Sequence, residues 1–243
     1  MKILQNTEMA NAVWQNLTKE AQNDLNKYFH LRPTNSGVTI VSTLPFAPMR
    51  GFIATSRVAL EAKLNEIFFN IEKLYSQDEG IVKETMKELG FKNRQGDSNA
   101  LLEEKWQARI INNMSGDKLL KEKLNAKDNI RFIASEFIFE QGKHKVDIVG
   151  FDGNDLLFLE LKKGRTTKVD QVTKYVDYYS SKEKSDILNI ILKLYPCNPV
   201  KSFNTIRGVM IMEFHPNSPH NWQKLAKDNS IDILFFDKDC NWH

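Results

Sequence analysis

The run Leu156-Leu-Phe-Leu-Glu-Leu-Lys162 constrains the fold more than any other stretch: an almost unbroken apolar segment ends in a carboxylate and an ammonium. Its length and composition predict a strand. Alternation then puts Leu156, Phe158, Glu160 and Lys162 on one face and Leu157, Leu159 and Leu161 on the other. Glu160 and Lys162 point the same way, and desolvating them there is costly unless they pair with each other, a metal or a ligand. Just upstream, Lys145-Val-Asp-Ile-Val149 alternates as a second strand, and Phe151-Asp-Gly-Asn-Asp155 supplies the turn between the two. The product is a hairpin with Asp147 on one strand and Glu160, thirteen positions later, on the next.

A helix follows. Val172, Tyr175, Val176 and Tyr179 form a core-facing stripe, with Thr167 as its expected N-cap and Gln171 and Tyr175 one turn apart at the stripe's edge. Two carboxylates on adjacent strands can hold a hard divalent cation, and a lysine beside them can serve an attacking water. The surroundings are basic: Lys162, Lys163, Arg165, Lys168, Lys174, Lys182 and Lys184 outnumber Asp170, Asp177 and Glu183, and Lys143, His144 and Lys145 add to them. A basic rim around an acidic centre suits a phosphodiester backbone.

At these residues the chain resembles the PD-(D/E)XK nuclease superfamily, specifically the RecB-like branch with its added Q-x-x-x-Y motif. The likeness is to mismatch- and restriction-type endonuclease domains with a D-h-h strand, an E-L-K strand and a Q-h-x-x-Y helix. It implies Asp147, Glu160 and the backbone carbonyl of Leu161 as ligands of Mg²⁺ or Mn²⁺, and Lys162 as the catalytic lysine. It also implies Gln171 and Tyr175 as active-site or phosphate-contacting residues. From their place in the basic rim, Lys163, Arg165, Lys168 and Lys145 are the expected nucleic-acid contacts. Val146 stands where the eponymous proline would be, which touches no ligand.

The superfamily usually carries one more acid on a helix before the first core strand. Leu101 to Ile111 reads as such a helix, and Glu103, followed at the third and seventh positions by Trp106 and Ile110, borders its buried face. Glu103 is preferred to Glu104, and its E-x-x-W-Q setting resembles the equivalent helix of related nucleases; a solvated helix acid is the competing reading. Glu136 and Glu140, in a strand expected over 131–140, are lesser candidates.

At 243 residues, with 41% hydrophobic and 27% charged residues, the chain can bury a real core, and a net charge of +3 rules out a general polycation. No stretch approaches the ~18 apolar residues of a membrane span. Cys197 and Cys240 form no paired motif, so the expectation is a soluble, cytoplasmic protein without membrane partners or a disulfide framework. The histidines at 215, 220 and 243 do not have the spacing of a closed zinc site.

Two parts are expected. Residues 1–96 read as a mostly helical accessory domain: a helix over about 8–29, a short strand at 38–44, a loop at 45–51, and a long helix capped by Thr55 or Ser56 that runs through Leu60 to Tyr75. Its apolar stripe is a core stripe or a homodimer contact. After the polar link 93–99, residues 97–243 should form an α/β domain in which helices flank a mixed central sheet, the restriction-endonuclease-like arrangement. The order expected is strands at 130–140, 144–151 and 156–162, helix 168–183, helix 186–195, strand 205–214, helix 219–228 and strand 231–236. Asp186–Tyr195 reads equally as a buried helix or a strand. No P-loop or Rossmann glycine pattern is present, so an NTP-driven motor is not supported. The functional expectation is a metal-dependent nuclease, most readily a DNA endonuclease of defence or repair, with RNA not excluded. The opposing class is an inactive nucleic-acid-binding or assembly protein of the same fold.

Overall fold

The computed structural model describes residues 2–92, 98–137, 145–163, 169–188, 200–215 and 221–243. They form two compact units, one from the residues up to Lys92 and one from Ser98 onward.

The first unit has a sheet as well as helices. Helices α1 (Lys2–Asn16) and α2 (Lys19–Leu25) replace the single helix expected over 8–29, because Thr18 caps a new start: its side chain accepts the Ala21 N–H at 3.2 Å. Strands β1 (Phe29–Pro33), β2 (Val38–Leu44) and β3 (Ala47–Ala54) form an antiparallel sheet in that order. The expected loop at 45–51 is mostly strand, since only Pro45 and Phe46 separate β2 from β3. "Mostly helical" is therefore corrected to a mixed unit. Helix α3 (Arg57–Phe69) starts at Ser56, which accepts the Ala59 N–H, and stops at Asn70 before the single turn α4 (Ile71–Leu74). Helix α5 (Glu79–Glu88) completes the unit. Leu60, Leu64 and Ile67 lie fully buried in a core with Val38, Ile40 and Trp14, so the α3 stripe serves this unit's own interior.

The second unit is built on a five-stranded mixed sheet, ordered β4 (Arg131–Phe137), β5 (Val146–Phe151), β6 (Leu156–Lys162), β7 (Ile206–Glu213) and β8 (Ile231–Phe236). The first three are antiparallel neighbours and the last three run parallel. On one face, Leu157, Leu159 and Leu161 join Trp106 and Ile110 of α6 (Ser98–Asn113) and Leu120 of α7 (Lys118–Lys123). Each such leucine, fully removed from water, contributes about 1.5–3 kcal/mol. On the other face lie α8 (Asp170–Ser180) and α9 (Trp222–Asn229), packed on Met210, Met212, Ile231 and Ile233. Gly208 permits the close approach of α8 to β7, since a Cβ there would meet Val176 Cγ2 at 3.0 Å and Val172 Cγ2 at 3.2 Å. The α8 residues Gln171 and Tyr175 are thereby drawn onto the sheet.

The β5–β6 turn is the hairpin turn expected from its residues. Asp152, almost fully buried, accepts the N–H groups of Asn154 (2.9 Å) and Asp155 (2.7 Å), and Gly153 takes φ +90°, a conformation that suits glycine. Arg207 ties the turn down through Asp152 (3.5 Å) and Asp232 (2.8 Å). The link 93–97, the expected strand residues past Phe137, Thr167 and residues 189–195 of the ambiguous 186–195 segment lie outside the described residues; α8 has Val169 in the N-cap position, without a side-chain cap bond.

Candidate metal centre

The register assembles the site. Ile148 pairs with Leu159 across β5 and β6, so the next pair outward is Asp147 opposite Glu160. Residues directly opposite in an antiparallel pair share a face with Cβ atoms about 4.5–5.5 Å apart. That face is the α8 side, because Phe158, two residues before Glu160, packs edge-on against Tyr179 of α8 at 4.9 Å. Glu160 and Lys162 share it, while the intervening Leu161 is buried on the α6 side.

Glu160 is the centre of the hydrogen-bonding. Its side chain is 2% exposed, and Oε1 accepts from Lys162 Nζ at 2.6 Å and from Gln171 Nε2 at 2.6 Å. The Gln171 amide also donates to the Tyr175 hydroxyl at 2.6 Å. Oε2 of Glu160, equally buried, has no hydrogen-bond partner among the described residues. A carboxylate oxygen in that state is expensive for a fold to keep. Asp147 Oδ2 accepts the Leu161 N–H at 2.9 Å, so the two acids are linked through the strand that separates Glu160 from Lys162.

Proton affinities follow from this crowding. Burial, reinforced by the Asp147 charge and only partly opposed by Lys162, pushes Glu160 up to about 8. Desolvation also raises Asp147, against the pull of the Leu161 N–H and of Lys162 and Lys145. Burial works to lower Lys162, but the charge and hydrogen bond of Glu160, with Asp147 and Glu103 behind them, hold it above its ordinary value. Burial raises the Tyr175 hydroxyl too, with the Gln171 bond opposing and the nearby carboxylates adding to the shift.

From the opposite face, α6 fixes the strand ends. Glu103 Oε1 accepts the Lys163 N–H at 2.8 Å, and Gln107 Nε2 donates to the Asp147 carbonyl at 2.8 Å. Glu103 therefore grips backbone just past Lys162. Gln107 is a contributor that sequence reasoning passed over, although it stood in the quoted E-x-x-W-Q pattern. Also unforeseen is the alignment of Glu136, which lies between the pairs Ser135↔Ile148 and Phe137↔Val146 and so stands opposite Asp147. Lys145 pairs with Glu136 at 3.2 Å. Glu136, Asp147 and Glu160 make one row across three strands. Of the expected basic contacts, Lys163 and Lys145 are beside the site, while Arg165 and Lys168 lie outside the described residues, as does Glu140. His215 and His243 are matched with Glu213 (3.6 Å) and Asp237 (2.8 Å).

Among the described residues no group of three or more His, Cys, Asp and Glu side chains is gathered as for a metal ion. The site's own offer is two carboxylates, one with a buried unpartnered oxygen, and backbone carbonyls. All-oxygen donors of that kind fit Mg²⁺ or Mn²⁺, which keep several water or phosphate ligands, and do not fit a closed zinc site. No helix among the described residues is long and apolar enough to cross a membrane. No family model matches the chain, and no curated protein matches it in sequence.

Proposed function

We propose that the second unit is a metal-dependent phosphodiesterase of the PD-(D/E)XK type acting on DNA, with the restriction-endonuclease-like fold. The observation that carries this reading is the buried Oε2 of Glu160, unpartnered among the described residues, opposite Asp147 and beside Lys162. Asp147, Glu160 and the Leu161 carbonyl would hold Mg²⁺ or Mn²⁺. Such an ion polarises the scissile phosphate and lowers the pKa of a bound water.

The chain's own residues have separable tasks. Lys162, held by its hydrogen bond to Glu160, orients the attacking water and offsets negative charge accumulating on the phosphate oxygens. Gln171 holds Glu160 from the side and Tyr175 holds Gln171, which fixes the rotamer that leaves Oε2 turned away from both donors. Glu103 and Gln107 set the strand ends from the other face.

The test is cleavage of linear, circular, single-stranded and mismatched DNA with Mg²⁺ or Mn²⁺, with and without chelator, by the wild type and by Asp147→Asn and Lys162→Ala. Metal-dependent cutting, reduced at least about 10²-fold in each folded variant, is expected. Normal cutting by either variant overturns the assignment. Binding without cutting by the wild type favours the inactive nucleic-acid-binding alternative.

A further inference from the structure

Among the described residues, Lys162 and Lys145 form ion pairs with the row Glu136–Asp147–Glu160, and they are held very differently. Lys162 contacts a carboxylate that is 2% exposed, at 2.6 Å, and is itself 31% exposed. Lys145 contacts Glu136 at 3.2 Å, with the lysine 44% exposed and the glutamate 15%. The inner pair is set into the protein, whereas the lysine of the outer pair reaches solvent, where an ion pair is held more weakly. An incoming anion can therefore take Lys145 from Glu136 far more easily than it can take Lys162 from Glu160.

Glu136 is placed there by its backbone. Its φ of +48° is in the left-handed region, which a glutamate seldom adopts, and it interrupts the strand alternation: Phe137, the next residue, packs on Phe158 and Tyr179 on the α8 side. The glutamate carboxylate is thus delivered to Lys145 and to the neighbourhood of Asp147, whose proton affinity its charge helps to raise.

We propose that Lys145 binds a backbone phosphate of the DNA next to the scissile one, and that Glu136 is an internal competitor for it, occupying the lysine until the phosphate displaces it. This rests on the phosphodiesterase reading of the same site, of which the buried unpartnered oxygen of Glu160 is the independent sign of a ligand. The consequence is selectivity by charge density. A strand presenting consecutive phosphates repays the loss of the Glu136 contact, and an isolated small anion does so poorly.

The experiment is a double-mutant cycle read by binding of a fluorescent 20-base-pair DNA duplex in chelator, so that no cleavage is needed. Glu136→Gln should tighten binding about three- to fivefold, the factor expected for releasing one partly exposed ion pair. Lys145→Ala should weaken it and lower the salt slope by about 0.9 log unit. In the Lys145→Ala background, Glu136→Gln should change little. Unchanged or weaker binding by Glu136→Gln overturns the proposal, as does a gain that persists undiminished without Lys145, which would be simple removal of a repulsive charge. Absence of duplex binding by the wild type at low salt also overturns it. Failure of the nuclease reading would appear elsewhere, as wild-type DNA binding with no metal-dependent cutting, while the cycle still reports on Glu136 and Lys145.

Discussion

Gln171 on α8 reaches Glu160 on β6 with an amide-to-carboxylate bond of 2.6 Å, so the helix that follows the acidic strand steers that strand's carboxylate. The same amide nitrogen also donates to Tyr175. Gln171 thus acts through Glu160, and loss of such an outer partner typically costs 10–100-fold in metal affinity or activity. Gln171→Ala should weaken Mn²⁺ binding, measured by titration calorimetry, by at least about tenfold. Tyr175→Phe, which removes only the hydroxyl behind Gln171, should cost less. Equal losses in the two variants would show that Tyr175 contacts the ion or substrate itself.

The raised proton affinity of Glu160 makes stability depend on pH in a defined direction. Unfolding returns the group to its ordinary value of 4.5, whereas the folded chain retains the proton up to about 8. Between those values the folded state binds more protons, so stability falls as pH rises through the window, and the penalty is complete above it. Asp147, shifted the same way, adds to the slope. Melting of the chelated protein should therefore drop between about pH 5 and 8, and Glu160→Gln should flatten the profile. Because a cation replaces the bound protons, Mn²⁺ should raise the melting temperature more at pH 8 than at pH 5.5. Parallel profiles for wild type and Glu160→Gln would contradict the assignment.

What could be read in the sequence was whatever local periodicity encodes. The apolar run 156–162, the alternation at 145–149 and the 172-175-176-179 stripe each determine a face, and those faces place Glu160, Lys162, Gln171 and Tyr175 together. Relations between strands were less legible. That Glu136 stands opposite Asp147 depends on the β4–β5 register, with its irregularity between Phe132 and Ala134 and the left-handed Glu136, and no local pattern announces either. In the first unit, no expected strand covers Phe29–Pro33, and the loop expected over 45–51 overlaps the start of Ala47–Ala54, because pairing with β2 gives these short segments a stability their own composition does not.

Glu103 provides a contrast between grip and ligation. Its Oε1 accepts the Lys163 N–H, a task that a neutral amide oxygen can also perform. Glu103→Gln should therefore keep cleavage within about tenfold of wild type, while Glu103→Ala, which leaves that N–H without its acceptor, should lose more. A Glu103→Gln variant as inactive as Asp147→Asn would make Glu103 a direct ligand.

Gly153 tests whether the hairpin turn governs the site from its far end. Its φ of +90° disfavours any side chain, and a Cβ would lie 2.2 Å from Asp128 Oδ2 and 2.9 Å from the Asp128 Cβ. Asp128 cannot simply retreat, since its N–H donates to the Asp152 carbonyl at 2.9 Å beside the turn. Gly153→Ala should destabilise by about 2 kcal/mol, a fall of roughly 4–8 °C in melting temperature. Combining it with Asp128→Gly removes the side-chain collision but not the backbone strain, so the double variant should recover only part of the loss. Below its melting temperature, Gly153→Ala should still bind Mn²⁺ as the wild type does, because the β5–β6 register is held by Ile148–Leu159 through Phe151–Leu156 between the turn and the acids. Weakened Mn²⁺ binding by a fully folded Gly153→Ala variant would show instead that the turn sets the spacing of Asp147 and Glu160.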